Sequence, residues 1–293
     1  MGSSITALFA GLCTLDVLQA VERVPGANEK VTALDQTIAA GGPAANAAVT
    51  FAHLGGDATL VTGVGRHPLA AGVRADLGRA GVRLADAAGD DDRPPPVSSI
   101  VVTAATGDRS VVSRNAAGRA VAPPAGLPSL VSEARAVLVD GHHPALADAA
   151  AREARSRGVP CVLDGGSWKG NTAALLPCVD VAVCSADFRP PGSGQDVLEF
   201  LLRAGVRWAA VTDGPRPVAW AGPDGLAGTV PVPAAEVADT LGAGDVFHGA
   251  FLHAIASGGE VLDETAFTAA LRFAGEVAAR SCESFGTRAW MGY

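Results

Sequence analysis

The run Asp239-Thr-Leu-Gly-Ala-Gly-Asp245 continues without a break into Val-Phe-His-Gly-Ala-Phe-Leu-His-Ala-Ile255. Gly242 and Gly244 carry no Cβ, so the backbone there can turn sharply and come close to a ligand. Val246, Phe247, Ala250, Phe251, Ala254 and Ile255 then recur at helical spacing, which predicts a helix starting at the turn. The first N–H groups of that helix, around Gly242, Ala243 and Gly244, together with the positive end of its dipole, would face an anion. Asp245 places a carboxylate in the same turn, and the helix N-terminus favours its ionised form. An anion site with a fixed base beside it is what moving a phosphoryl group onto a hydroxyl requires.

A second glycine turn, Gly41-Gly-Pro-Ala-Ala-Asn46, also opens a helix, with Pro43 suited to its first turn and Gly55 to its end. Gly42 would bring backbone N–H groups to a ligand, and Asn46 offers a donor and an acceptor; a plain strand-to-helix turn would use the same residues. Asp16 follows the first apolar stretch, where an open α/β sheet holds its ligands. Its carboxylate could accept from two neighbouring hydroxyls or simply make a loop turn. Lys30 and Arg109 could reach a polar or anionic substituent, or stay solvated. In Asp164-Gly-Gly-Ser-Trp-Lys169, Lys169 could neutralise phosphate and Trp168 could be packing. Of His142 and His143, adjacent after Asp140, at most one should face a ligand, and neither has metal-ligand spacing.

Alternating apolar runs and helical patterns must position these groups. Strands are expected at 5–12, 58–64, 136–140, 160–164, 179–184 and 207–212, and helices at 43–54, 68–80, 144–157, 194–204, 243–257 and 263–281. The alternation implies β-α-β units and a mostly parallel sheet covered on both faces. Segments 97–105 and 109–113, joined by Thr106-Gly-Asp108, read as an inserted β-hairpin, and 31–38 as another extended piece. Together they suggest a small sheet able to act as a lid. A length of 293 residues and 48% hydrophobic content suit one such domain. A net charge of −8 argues against nucleic acid or anionic lipid as a partner. No apolar run reaches spanning length, no signal peptide is indicated, and five cysteines without a C-x-x-C pair suit a reducing cytoplasm.

The 239–245 run with its helix resembles the C-terminal signature of the ribokinase, or pfkB, family of carbohydrate kinases, and the order of motifs resembles it over nearly the whole chain. The resemblance implies a ribokinase-like three-layer α/β/α fold, spanning 1–293 as a single kinase domain. A mostly parallel central sheet would carry a small β-sheet lid from about 16–40 and 93–115. It implies an ATP-dependent sugar kinase that phosphorylates a primary hydroxyl, with Asp245 as base and Gly242-Ala243-Gly244 as anion hole. Asp16, Gly42 and Asn46 would hold the sugar, with Lys30 and Arg109 reaching in from the lid. Thr212 and Gly214, in Val211-Thr-Asp-Gly214, would lie near the ATP phosphates, with Asp239, Thr240 and Lys169 on the cofactor side. Many members carry an Asn-x-x-Glu motif that organises magnesium. Ser185-Ala-Asp187-Phe stands there instead, leaving Asp187 as the metal candidate, through water.

The segment 281–287 lies where members cover adenine and sometimes bind a monovalent cation. Within the family, Ser-x-Asp at 185–187, the 239–245 wording and Gly-Asp-Arg-Ser at 107–110 are similar to ketohexokinases. Gly-Gly-Pro-Ala-Ala and Gly-Asp-Val-Phe-His-Gly are similar to bacterial sulfofructose kinases, although Ser113 and His142 stand where those carry sulfonate contacts. The sugar stays open, as do a nucleoside kinase of the same fold and a catalytically silent sugar- or nucleotide-binding regulator. An exposed lid edge could pair two copies into a homodimer. A dinucleotide oxidoreductase is excluded, because Gly11-Leu-Cys-Thr-Leu-Asp16 follows the first strand in place of G-x-G-x-x-G.

Overall fold

The computed structural model describes residues 5–191, 196–259 and 262–292. Its elements in chain order are β1 (Thr6–Ala10), β2 (Thr14–Val21), β3 (Asp35–Gly41), α1 (Pro43–His53), β4 (Asp57–Thr62), α2 (Ala70–Arg79) and β5 (Arg83–Asp86). There follow β6 (Val97–Thr103), β7 (Arg109–Ser113), α3 (Leu127–Glu133), β8 (Ala136–Val139), α4 (Pro144–Arg157), β9 (Cys161–Gly165), α5 (Thr172–Leu175) and β10 (Val181–Ser185). The chain ends with α6 (Val197–Arg203), β11 (Trp208–Asp213), β12 (Arg216–Ala221), β13 (Ala227–Val230), α7 (Ala243–Ser257) and α8 (Glu264–Ser281).

The main sheet runs β13-β12-β11-β10-β9-β8-β1-β4-β5. Its strands are parallel from β11 to β5, and β12 and β13 add an antiparallel edge. Both faces are covered, which is why the inner strands are apolar throughout rather than alternating. Ala7 and Phe9 of β1 pack into the core under α1, α2, α7 and α8, while Leu8 and Ala10 pack into the core under α3, α4, α5 and α6. A smaller sheet, β3-β2-β6-β7, stands apart. Its outer pairs are antiparallel and its central pair, β2 with β6, is parallel.

The expected 5–12 strand stops short, and a second strand that was not foreseen follows it. β1 ends at Ala10, the chain turns through 11–13, and β2 begins the small sheet, so Asp16 lies on a strand rather than in a loop. The helix expected at 194–204 begins at Val197, where the Asp196 carboxylate accepts from the Glu199 N–H at 2.9 Å; 194 and 195 lie outside the described residues. β5, α3, α5, β12 and β13 were not anticipated, being short or, for β12, opened by Arg216-Pro217.

From β1 the chain builds outward to β4 and β5 on one side and to β8 through β13 on the other, so the strand order reverses between β1 and β8. In open α/β sheets a crevice forms at the carboxyl ends of such a pair. Here it is pinned by Asp140, 1% exposed at the end of β8. Its Oδ2 accepts from the Leu12 N–H (2.8 Å) and the Ala44 N–H (3.3 Å), and its Oδ1 from the His142 N–H (2.9 Å). One carboxylate therefore ties the exit of β1, the first turn of α1 and the exit of β8. Replacing it by Ala strands three backbone donors, two of them buried. Asp140→Ala is expected to cost about 3 kcal/mol or more in unfolding free energy, measured by denaturant titration.

Candidate active site

Two helices present their N-termini at this crevice. α1 follows Gly42, whose φ of +91° an L side chain rarely adopts, and α7 follows Gly242, left-handed at φ +73°. The helices lie close together because Gly249, one turn below Asp245, is in contact with α1. A Cβ there would come within 2.4 Å of the Ala47 carbonyl and 2.7 Å of the Thr50 side chain. This approach brings the two sequence motifs into register. Asn46 Nδ2 donates to Asp245 Oδ2 at 2.8 Å, across 199 residues of chain.

Asp245 is half-buried, and its carboxyl is pushed up to about 7. Desolvation is the largest cause and the nearby Asp164 carboxylate adds to it, while the Asn46 hydrogen bond and His248 pull the other way. The helix N-terminus was expected to favour the ionised form; burial and a neighbouring like charge outweigh it. Asp164 is 4% exposed at the end of β9, and its Oδ2 lies 3.6 Å from His248 Nδ1. The His248 ring sits between the Gly244 carbonyl (2.7 Å from Nδ1) and the Val183 carbonyl (3.0 Å from Nε2).

Asp16 is buried on β2, where its Oδ1 accepts from Thr14 Oγ1 at 2.5 Å and the Ser98 hydroxyl also bonds it. Desolvation raises its pKa; those hydroxyls and Arg288 oppose the rise. On the far side of the α7 turn, Arg109 of β7 donates from Nη1 to Thr240 Oγ1 at 2.6 Å. The structure therefore sets Arg109 against the turn that opens α7 rather than beside Asp16. Asp239 is 2% exposed and shapes this loop from below, accepting from the Leu241 N–H (2.8 Å) and the Gly286 N–H (3.0 Å).

The remaining sequence candidates spread along the carboxyl edge. Thr212 Oγ1 donates to the Cys184 carbonyl at 3.4 Å, and Gly214 forms the exposed β11–β12 turn with φ +54°. Lys169 donates from Nζ to the Ser167 carbonyl at 3.2 Å, while Trp168 packs edge-on against Phe188 and Phe200, which is the packing role. Asp187 lies in the turn after β10 with an exposed side chain, and Lys30 is exposed in the β2–β3 connection. Neither side chain has a hydrogen bond or ion pair among the described residues. No cluster of three or more metal-ligating side chains occurs among the described residues.

Sequence reasoning missed Asp140, His248 and, above all, Arg288. Arg288 Nη1 donates to Asn46 Oδ1 (3.0 Å) and Thr287 Oγ1 (3.1 Å), and its Nη2 donates to the Ala40 carbonyl (2.6 Å) and Asp76 Oδ2 (3.2 Å). Its partners are up to 248 residues away, so no local pattern announces it.

The family model for pfkB family carbohydrate kinases matches residues 6–291. The chain belongs to that family. The ribokinase of Bacillus subtilis (strain 168) is 27% identical over 293 residues, covering 96% of this chain and 94% of that one. Among solved structures, ribokinase from Giardia lamblia superposes with a TM-score of 0.84 at 18% identity, over 98% of this chain and 95% of that one. Arabidopsis thaliana ribokinase complexed with ribose and ATP gives 0.76 at 20% identity, over 98% of each chain. The chain is thus a carbohydrate kinase of ribokinase type, a phosphotransferase with the ribokinase-like fold. No helix among the described residues is long and apolar enough to cross a membrane.

The raised Asp245 carboxyl has two measurable effects. Turnover limited by the ionised form falls as pH drops through about 7. The ordinary value of 3.8 applies in the unfolded chain, so between 3.8 and about 7 the folded protein binds the extra proton and loses stability as pH rises. Asp245→Asn is therefore expected to raise the Tm of the unliganded protein at about pH 8 and to change it little near pH 3, as read by calorimetry.

Proposed function

We propose that this kinase transfers the γ-phosphoryl group of ATP to a primary hydroxyl of a small sugar, with Asp245 as base. The observation that carries the reading is the Asn46–Asp245 hydrogen bond, which joins the two glycine-turn motifs into one site at the switch between β1 and β8. The sugar rests between Asp16, Gly42 and Asn46, its reacting hydroxyl toward Asp245. As the hydroxyl oxygen bonds to phosphorus and the bond to ADP breaks, Asp245 takes the proton. A carboxylate with its pKa near neutrality holds that proton better than an ordinary one. N–H groups of Gly242 and Gly244 face the transferring group and stabilise its charge, while that of Ala243, which donates to the Thr240 carbonyl at 3.3 Å, must turn from it to join them. Arg109, bonded to Thr240 from the small sheet, adds a cation on the same side when that sheet closes and excludes water.

Thr212, Gly214 and Lys169 line the nucleotide side, while Asp239 contributes by holding the loop. Magnesium would neutralise the ATP phosphates. The carboxylate this chain offers is Asp187, exposed and without a hydrogen bond among the described residues, in keeping with a contact through water. Lys30, solvated in the β2–β3 connection, is left to meet a polar substituent on closure. Ribose heads the list of acceptors because the Bacillus subtilis relative is a ribokinase; ketoses follow from the Ser-x-Asp and Gly-Asp-Arg-Ser wording. A nucleoside is the alternative acceptor, since adenosine kinase from Sinorhizobium meliloti shares the fold, with a TM-score of 0.78 at 20% identity.

The test is ATP-dependent ADP release across ribose, ketoses, other aldoses, sugar acids, sulfofructose and nucleosides. One acceptor is expected to dominate, with Asp245→Asn lowering its kcat by about a hundredfold or more. Arg109→Met is expected to lower kcat or raise the KM for ATP, with the sugar KM nearly unchanged. Full activity in Asp245→Asn would remove the base from this scheme.

A further inference from the structure

We propose that Arg288 is a positioning residue for the base: by holding the Asn46 carbonyl, it turns the Asn46 amide N–H onto Asp245 and fixes where that carboxylate points. The inference rests on Asp245 being the base.

The argument begins with what each group can do. An ionised carboxylate only accepts and a guanidinium only donates. An amide placed between them therefore has one good orientation, NH2 toward Asp245 and oxygen toward Arg288, and both contacts are present, at 2.8 and 3.0 Å. Without the guanidinium, the amide is free to turn over and set its oxygen against the Asp245 carboxylate, which repels it. Arg288 is itself held from several sides. Its side chain is 12% exposed and that of its partner Asp76 is 13% exposed. Asp76 Oδ2 also accepts from the Ala40 N–H at 3.0 Å, and Ala40 returns its carbonyl to Arg288. The guanidinium thus bridges α2, the end of β3, α1 and the C-terminal segment with its planar fork. A lysine could supply the charge but not the fork.

Through Asn46, Arg288 borders a crowded acidic site. Asp164 from β9 and Asp16 from β2 both push the Asp245 carboxyl up, and His248 on α7 pulls it down. Among the described residues, Asn46 is the one hydrogen-bonding side chain that stabilises its ionised form. Loss of the Asn46 donor should therefore move the Asp245 titration to higher pH.

The experiment is a double-mutant cycle of Asn46→Ala and Arg288→Met, read in the unliganded protein by the 13C carboxyl NMR titration of Asp245, assigned with Asp245→Asn. Both single variants are expected to raise the midpoint, by on the order of one unit, and the double variant to match Asn46→Ala alone. In kinetics, Arg288→Met should lower kcat by about tenfold or more, move the acidic limb of kcat upward, and leave the KM for ATP nearly unchanged. Arg288→Lys should restore thermal stability without restoring the midpoint, and it carries the test if Arg288→Met does not fold. An unchanged midpoint in a folded Arg288 variant, or effects that add in the double variant, would overturn the proposal. The titration needs no substrate. Full activity in Asp245→Asn beside a shifted midpoint in the Arg288 variants refutes the base reading alone, and an active enzyme with an unmoved midpoint refutes the positioning role alone.

Discussion

The carboxylate of Asp140 is the fixed point of this molecule. Parallel strands leave their carboxyl ends ragged, and at a point where the strand order reverses the backbone donors on the two sides have no partner strand to meet. Asp140 satisfies the N–H groups of Leu12, Ala44 and His142 together. The route into the small sheet, the start of α1 and the exit of β8 are therefore set by one side chain. Everything nearer the chemistry is built outward from that anchor: the Gly42 turn, the first turn of α1 and Asn46.

On that base the protein tolerates an unfavourable concentration of charge. Asp16 and Asp164 both lie within electrostatic reach of Asp245, in surroundings that penalise the ionised form of Asp16 and Asp245. The compensation is specific rather than general. Hydroxyls of Thr14 and Ser98 serve Asp16, the Asn46 amide serves Asp245, and His248 faces Asp164. Sites of function commonly sacrifice some fold stability in this way. As the proposed proton acceptor, Asp245 would gain from this, because such a group is most effective when its pKa lies near the operating pH.

Much of this was legible in the chain because it is local. The helix after Gly42 and the helix after Gly242 were readable from glycine, proline and a 3.6-residue period, and α4 was foreseen at 144–157, its observed bounds. The β6–β7 hairpin followed from its turn. What stayed hidden depends on distance along the chain. Asp16 was read as a loop residue because a three-residue turn between two apolar strands leaves no mark in hydrophobicity. Arg109 was assigned to the sugar side, since nothing in Gly-Asp-Arg-Ser tells which loop 131 residues away it will meet. Arg288 sits in a short, irregular C-terminal segment with no period to read, and its contacts reach back to α1, α2 and β3. Folding, not pattern, makes such residues part of a site.

The contact at Gly249 also bears on how this sequence can drift. Position 249 touches no reacting atom, and in an isolated helix a glycine there would be a defect that alanine repairs. Packed against Ala47 and Thr50, it cannot be repaired: even a methyl group would wedge the helices apart one turn beneath Asn46 and Asp245. Because Ala47 and Thr50 are themselves fully buried, such a wedge would strain the core and the Asn46–Asp245 contact together. The choice of residue at 249 is then bounded by the spacing of two helices, and α7 keeps its weakest residue there because α1 leaves no room for a better one.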